Sequence, residues 1–171
     1  MQSMKEFFGK EVATLLTPTT VTLVTARDTQ GDCIATCAWA NPLSHEPSLI
    51  GVCLRPDGRT ARAIEQGGCF VVNVLGADAA SRDCAIKCGK KGPDQPERFE
   101  AAQIKKEPAA AVEAVRVKQA IAWIECELVE TRSFGDHMLY VGRTLKAVFA
   151  GGTQLLMQGR GSFGSFTELD E

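Results

Sequence analysis

The chain has 171 residues, 44% of them hydrophobic and 23% charged, with a formal net charge of -2. That length and balance suit a single globular domain with a sizeable core, and they disfavour a nucleic-acid binder, which would carry a basic face. No apolar run approaches the ~20 residues needed to span a bilayer, and the charged N-terminus lacks the apolar stretch of a signal peptide, so a cytoplasmic protein without nucleic-acid or membrane partners is expected.

Taken in order, Ser3 with Glu6 reads as a capping box. Met4, Phe7, Phe8, Val12, Leu15 and Leu16 then recur at helical spacing, which predicts an amphipathic helix over 4–16 that covers a sheet. Thr17-Pro18 ends it. Thr20–Arg27 is rich in β-branched residues and reads as a strand, turned at Asp28–Asp32 into a second, Cys33–Ala38. After a polar link with two prolines comes a third strand, Leu49–Leu54. Arg55-Pro56-Asp57-Gly58-Arg59-Thr60 follows, a turn rich in cations and hydroxyls. A strand, a loop, a strand and such a turn can hold a flat ring along the strand and a phosphate at the turn.

Arg59–Gln66 is helical, stopped by Gly67-Gly68, and Cys69–Leu75 is a strand whose continuous apolar run suggests burial on both faces. Ala77–Lys87 is helical. A basic loop carries Lys87, Lys90 and Lys91, and Glu97–Ala102 reads as a helical turn. Ala120–Glu130 alternates Ile124, Cys126 and Leu128 with Glu125, Glu127 and Val129, the pattern of a half-exposed strand. Ser133–His137 is a turn, and Met138–Phe149 is the sixth strand, with Gly142 marking a bulge or a close approach. Gly151–Glu171 shows little periodicity. Six strands joined by short turns predict a closed antiparallel barrel with peripheral helices.

The seven cysteines are an odd count without a secretion signal, which points to free thiols. Cys33 and Cys37 on one strand would sit about 13 Å apart, too far for a disulfide. Cys84 and Cys88 share a helical turn, where Lys87 and Lys90 could lower a thiol pKa. Their spacing is not that of a zinc site, and no metal site is assigned. Gly159-Arg160-Gly161-Ser162-Phe163-Gly164 matches the dinucleotide motif by letter only, since no helix or acidic residue can follow it at the required distance.

The segments DxxG, CIATCAWANPLS, RT, FVVNVL, CG, ERF and GDHMLYVG, in that order, resemble the flavin reductase-like family, and within it the flavoredoxin branch. The resemblance runs from about Thr17 to Phe163. It implies a six-stranded Greek-key split β-barrel that binds FMN non-covalently between the subunits of a homodimer. It also implies flavin reduction by a transient NAD(P)H donor, or electron transfer between small-molecule or protein donors and acceptors. Residues Thr36 to Trp39 would run along the flavin ring, with Trp39 beside it. Thr60 matches a phosphate-binding hydroxyl, Arg98 the position of a family lysine, and His137 and Phe163 positions near the flavin. The candidate cofactor-binding set is Cys33, Thr36, Cys37, Ala38, Trp39, Leu54, Arg55, Arg59, Thr60, Lys91, Arg98 and Phe163, with His137 as the candidate catalytic residue. Cys33 stands where the family often has Asn, and Ser44–Ser48 keeps one proline of a usual pair. An alternative reading is a non-catalytic barrel that holds another ligand, such as haem.

Overall fold

The computed structural model describes residues 5–90, 96–158 and 162–167. A 3-10 helix (Gly9–Leu16) leads into β1 (Thr19–Thr20), β2 (Thr22–Asp28), β3 (Gly31–Cys37), β4 (Ala40–Ser44) and β5 (Leu49–Leu54). Helix α1 (Arg59–Gly67), β6 (Cys69–Leu75), α2 (Ala79–Cys88) and α3 (Pro96–Ala101) follow. The chain continues through β7 (Lys106–Pro108), β8 (Val115–Val117), β9 (Ala120–Phe134), β10 (His137–Phe149), β11 (Leu155–Gln158) and β12 (Ser162–Ser165).

The main sheet is antiparallel and has seven strands in the order β3-β2-β6-β9-β10-β5-β4. Its two edge strands, β3 and β4, are consecutive in the chain, with only Ala38 and Trp39 between them. So short a link requires the sheet to curl until its edges approach. The Cys53 amide accordingly donates to the Trp39 carbonyl at 3.0 Å, and the Cys37 thiol bonds the Cys53 carbonyl. The expectation of six strands misses β4 in the main sheet, which holds Pro42 in an edge strand, and the short β1, β7, β8, β11 and β12 outside it. At Pro42 a missing N–H costs no ladder bond.

Period-two alternation divides β2 between two cores. Val21 and Leu23 pack in one cluster with Ile34, Leu75 and the inner faces of α2 and α3. Val24 and Ala26 pack in the other with Phe70, Tyr140 and the inner face of α1. The continuous apolar run of β6 is central, between β2 and β9, and is buried along nearly its whole length. Within it, Asn73 donates to the Leu23 carbonyl at 2.8 Å and accepts from the Val117 amide at 2.8 Å, which pins β8 across the sheet. Gly68 at φ 64° terminates α1, and Gly135 at φ 59° forms the tight β9–β10 turn. That turn is Gly135-Asp136 alone, so both strands run further than the sequence suggests, and His137 lies within β10.

Two expectations are corrected here. The N-terminal segment is a 3-10 helix with no buried residue, not an α-helix covering a sheet. Its Phe8, Val12, Leu15 and Leu16 face outward, while Ser3 and Met4 lie outside the described residues. Glu125, expected on the exposed face of its strand, is completely buried, because the 109–114 loop folds over that face and donates the Ala110 and Ala111 amides to its carboxylate. The C-terminal segment pairs β11 with β1 and β12 in a second small sheet. The last three residues of the glycine motif are therefore strand, while Gly159 to Gly161 lie outside the described residues.

Gly142 is both a bulge and a close approach: the β9–β10 register shifts at Val141/Gly142. A Cβ there would stand 2.5 Å from Phe70 Cζ and 2.6 Å from Cys126 Cβ. Gly142→Ala is expected to destabilise the fold by about 1–3 kcal/mol through overpacking. An unchanged midpoint in chemical denaturation would contradict that close packing.

Candidate functional site

A cleft of about 300 Å³ opens where β3, the β5–α1 turn and the end of α2 converge. Of the residues singled out from sequence, Thr36, Leu54, Arg55, Arg59, Thr60 and Arg98 all line it. Helix α1 points its N-terminus into this cleft. Gly58 caps it without a side-chain acceptor, and the first intrahelical bond runs from the Arg62 amide to the Gly58 carbonyl. The amides of Arg59, Thr60 and Ala61 precede that bond in the first turn, an arrangement suited to an anion. Lys90 and Gly89, which the sequence reading did not place in the cofactor site, also line it. Their signal was the basic loop after α2, but no local pattern says that this loop meets β3.

Helix α2 reaches β3 through two contacts. The Thr36 hydroxyl donates to the Ala85 carbonyl at 2.7 Å. Arg98 of α3 donates to the carbonyls of Ile34 and Cys88, each at 3.3 Å, and of Lys90 at 3.0 Å. Arg98 thus holds the cleft wall together as well as contributing charge. Asp78 caps α2 by accepting from the Ser81 amide at 2.8 Å.

The alternation of β3 sorts its candidates. Cys33 and Cys37 turn their side chains into the core under α1, opposite to the Ile34 and Thr36 side. Burial pushes the Cys33 thiol up to about 11 and the Cys37 thiol up to about 12. Their side chains are thus turned away from the cleft, which leaves their backbone on the ligand side. Arg59 is likewise committed: its guanidinium makes a bidentate pair with Asp28, both bonds 2.7 Å. Phe163 of β12 packs against the other core cluster and lines neither cavity. Lys91 lies outside the described residues.

Trp39 and Ala38 sit in the bend between β3 and β4. Trp39 is 43% exposed, and its ring packs on His137, ring centroids 4.7 Å apart. This pair borders a second cavity of about 500 Å³. His137 Nδ1 lies 2.7 Å from Asp136 Oδ1. A carboxylate only accepts, so the Nδ1–H donates and Nε2 is left for another partner. That bond holds the Asp136 carboxyl below its usual range. Asp136 in turn lies 4.0 Å from the Arg55 guanidinium, so one chain of contacts, Arg55–Asp136–His137–Trp39, joins the anion-suited cleft to the aromatic cavity.

All seven cysteines are free thiols. Cys53 is partly exposed. Cys84 and Cys88 face the core, and burial raises both, Cys88 to about 12. The neighbouring lysines do not outweigh that burial, so neither thiol is the activated thiolate that its basic surroundings suggested. Among the described residues no helix is long and apolar enough to cross a membrane.

The chain is similar to known proteins in both sequence and fold. The family model described as a flavin reductase like domain matches residues 14–166. The NADH flavin reductase of Kitasatospora aureofaciens is 32% identical over 139 residues, covering 79% of this chain and 66% of its own. This chain spans between 56% and 66% of the length of the first curated relatives it matches. Among solved structures, BorF, the flavin reductase component of a bacterial two-component tryptophan halogenase, superposes with a TM-score of 0.78 at 26% identity, covering 92% of this chain and 98% of that one. A split-barrel protein from Shewanella frigidimarina superposes with a TM-score of 0.84 over 94% of this chain and 88% of that one, at 17% identity, a likeness of fold alone.

Proposed function

This chain belongs to the flavin reductase-like family, and from that premise we propose that it is an FMN-binding oxidoreductase that passes electrons from a nicotinamide donor, through the bound flavin, to an acceptor. The observation that carries the reading is the adjacency of the two cavities, one anion-suited and one aromatic, joined through Arg55, Asp136, His137 and Trp39. Thr36 of β3 lines one cavity and Trp39, three residues on in the bend, borders the other, which suits a molecule with a phosphate at one end and a ring at the other. The residues fit FMN: first-turn amides of α1 with Arg55, Lys90 and Arg98 for the phosphate, Ala35 and Leu54 for apolar contact, and Trp39 with His137 at the ring end.

When bound, FMN supplies the redox chemistry. The chain's own residues bind and orient. The α1 amides and the cleft cations replace the water of a phosphate. Asp136 holds His137 through Nδ1 and leaves Nε2 for another partner. The family membership favours flavin over the haem alternative. BorF serves a two-component halogenase, and a protein acceptor of the same general kind is the partner we propose here. The outward apolar face of the N-terminal helix, Phe8, Val12, Leu15 and Leu16, supports a homodimer, with a closed split barrel as the subunit. Sedimentation of the FMN-loaded protein as a stable 18.4 kDa monomer would contradict the dimer.

The test is a pair of titrations followed by flavin fluorescence. FMN is expected to bind at least about tenfold more tightly than riboflavin, since each charge-assisted phosphate bond contributes about 1.5–3 kcal/mol, and Arg55→Ala is expected to narrow the ratio. Anaerobic NADH should then bleach the bound flavin. A protein that takes up neither flavin overturns the reading, and equal affinity for both overturns the placement of the phosphate.

A further inference from the structure

Another cavity of about 500 Å³ lies between α2, the end of α3 and the turn before β9. Helical spacing puts Ala79, Asp83 and Lys87 in one row and Ala80 with Cys84 in the next, and all five line it, with Arg82 beside them. Ala102, Gln103 and Gln119 line it as well. Gln103 has a φ of 54°, the left-handed region that glycine usually fills at a helix end. Its amide donates to the Glu100 carbonyl at 2.9 Å, and the Ile104 amide to the Phe99 carbonyl at 2.7 Å, the bonds that close α3. A glycine would serve both bonds without strain, so the glutamine brings a polar side chain to this edge at a conformational cost. The Gln119 side chain fixes the same wall: its amide nitrogen donates to the Gln103 carbonyl at 2.8 Å and its oxygen accepts from the Lys105 amide at 3.1 Å.

We infer that this cavity binds a free amino acid with a bulky apolar side chain, and that the bound amino acid strengthens FMN binding. Arg82 and Lys87 suit its carboxylate and Asp83 its ammonium. Asp83 and Lys87 stand one turn apart, and an exposed pair at that spacing is weakly held, so a ligand that brings both charges can engage both. The methyl groups of Ala79, Ala80 and Ala102 leave the remaining space to an apolar body. Helix α2 links this cavity to the flavin cleft, whose wall includes Cys88, Gly89 and Lys90 at its end. The Cys84 thiol donates to the Ala102 carbonyl at 3.4 Å, and the Thr36 hydroxyl of β3 donates to the Ala85 carbonyl at 2.7 Å. A ligand that bridges α2 to the end of α3 favours the arrangement in which that wall stands, and so favours FMN. Only this coupling rests on the FMN reading; the cavity shares none of its described lining residues with the flavin cleft.

The test titrates L-phenylalanine into the full chain, with and without FMN, followed by backbone amide NMR. Shifts are expected at residues 79–87, 102, 103 and 119. Hydrocinnamate, which lacks the ammonium, and phenethylamine, which lacks the carboxylate, should each bind at least about threefold more weakly, on the scale of one exposed ionic contact. Asp83→Asn should erase the preference over hydrocinnamate, and Arg82→Glu with Lys87→Glu should weaken phenylalanine by about tenfold. Arg82 and Asp83 are exposed and Lys87 is half-buried, so the variants should fold, and unchanged FMN affinity without phenylalanine checks that they do. Saturating phenylalanine should tighten FMN by about fivefold in the native protein and leave it unchanged in the double variant. No binding, shifts elsewhere, or equal affinity for the three compounds overturns the site and leaves the FMN reading standing. Phenylalanine bound at the expected residues with FMN affinity unchanged overturns the coupling. Failure to take up FMN overturns the FMN reading and the coupling with it, while the amide shifts still decide the site.

Discussion

Replacing Arg59 with alanine is expected to cost about 3 kcal/mol of folding stability, well beyond an ordinary surface substitution. Arg59 opens α1, and its guanidinium is clamped on Asp28 at the end of β2 by two bonds of 2.7 Å. It also donates to the Gly31 carbonyl at 3.3 Å. Both side chains are largely buried, 7% and 10% exposed, so removing one leaves the other charge without its partner. The Arg59 guanidinium beside Asp28 holds its carboxyl at about 2, below the ordinary 3.8. A carboxyl depressed in the folded state stabilises above its unfolded pKa and loses that contribution as pH falls through the folded value. The native protein should therefore shed about 2 kcal/mol between roughly pH 4 and pH 2 from this pair. In Arg59→Ala that part of the acid transition should be largely absent. Urea midpoints measured across this range check both statements. A variant of native stability that has lost only FMN affinity would mean that Arg59 serves the phosphate and not the β2–α1 junction.

The second large effect is expected at Glu125. Its side chain is wholly buried in the middle of β9. The carboxylate accepts the Ala110 amide at 3.0 Å, the Ala111 amide and the Arg116 guanidinium, and these bonds outweigh burial and hold its pKa below the usual range. Arg116 also stacks on Trp123, 5.8 Å from the ring centre, and the Trp123 indole donates to the Val117 carbonyl at 2.8 Å. Glu125→Ala would strand two amides and a buried guanidinium, at an expected cost of about 4 kcal/mol. Glu125→Gln keeps the shape and at least one acceptor, so it should cost distinctly less. Hydrogen exchange should show the 109–117 segment opening before the rest of the fold in both variants. Equal, small losses for the two would show that the loop is held by other contacts.

Strand identities and the anion-friendly turn were legible in the chain because they depend on neighbours one to four residues apart. Thr20–Arg27, Cys69–Leu75 and Leu49–Leu54 carry their burial in local composition, and Gly67-Gly68 announces the end of α1 through the conformation glycine allows. Thr36, Leu54, Arg55, Thr60 and Arg98 could be gathered into one candidate site because the family pattern lists them in order along the chain, and the fold does bring them to one cleft. Which way each side chain points was decided by the tertiary structure. The period of β3 turns Cys33 and Cys37 into a core that exists only once α1 has packed. Asp28 claims Arg59 across 31 positions of chain. Glu125 looked solvent-facing because alternation counts only its own strand; a loop from 14 and 15 residues upstream makes that face interior. The N-terminal stripe had the spacing of a packed helix, but spacing states which residues share a side and not what that side meets. Here the sheet's curvature sets the polar side against Trp39 and His137 and leaves the apolar side outward. Local sequence determines element type because backbone conformation is governed by near neighbours. Partners far along the chain are chosen only when the sheet curls and brings its edges together.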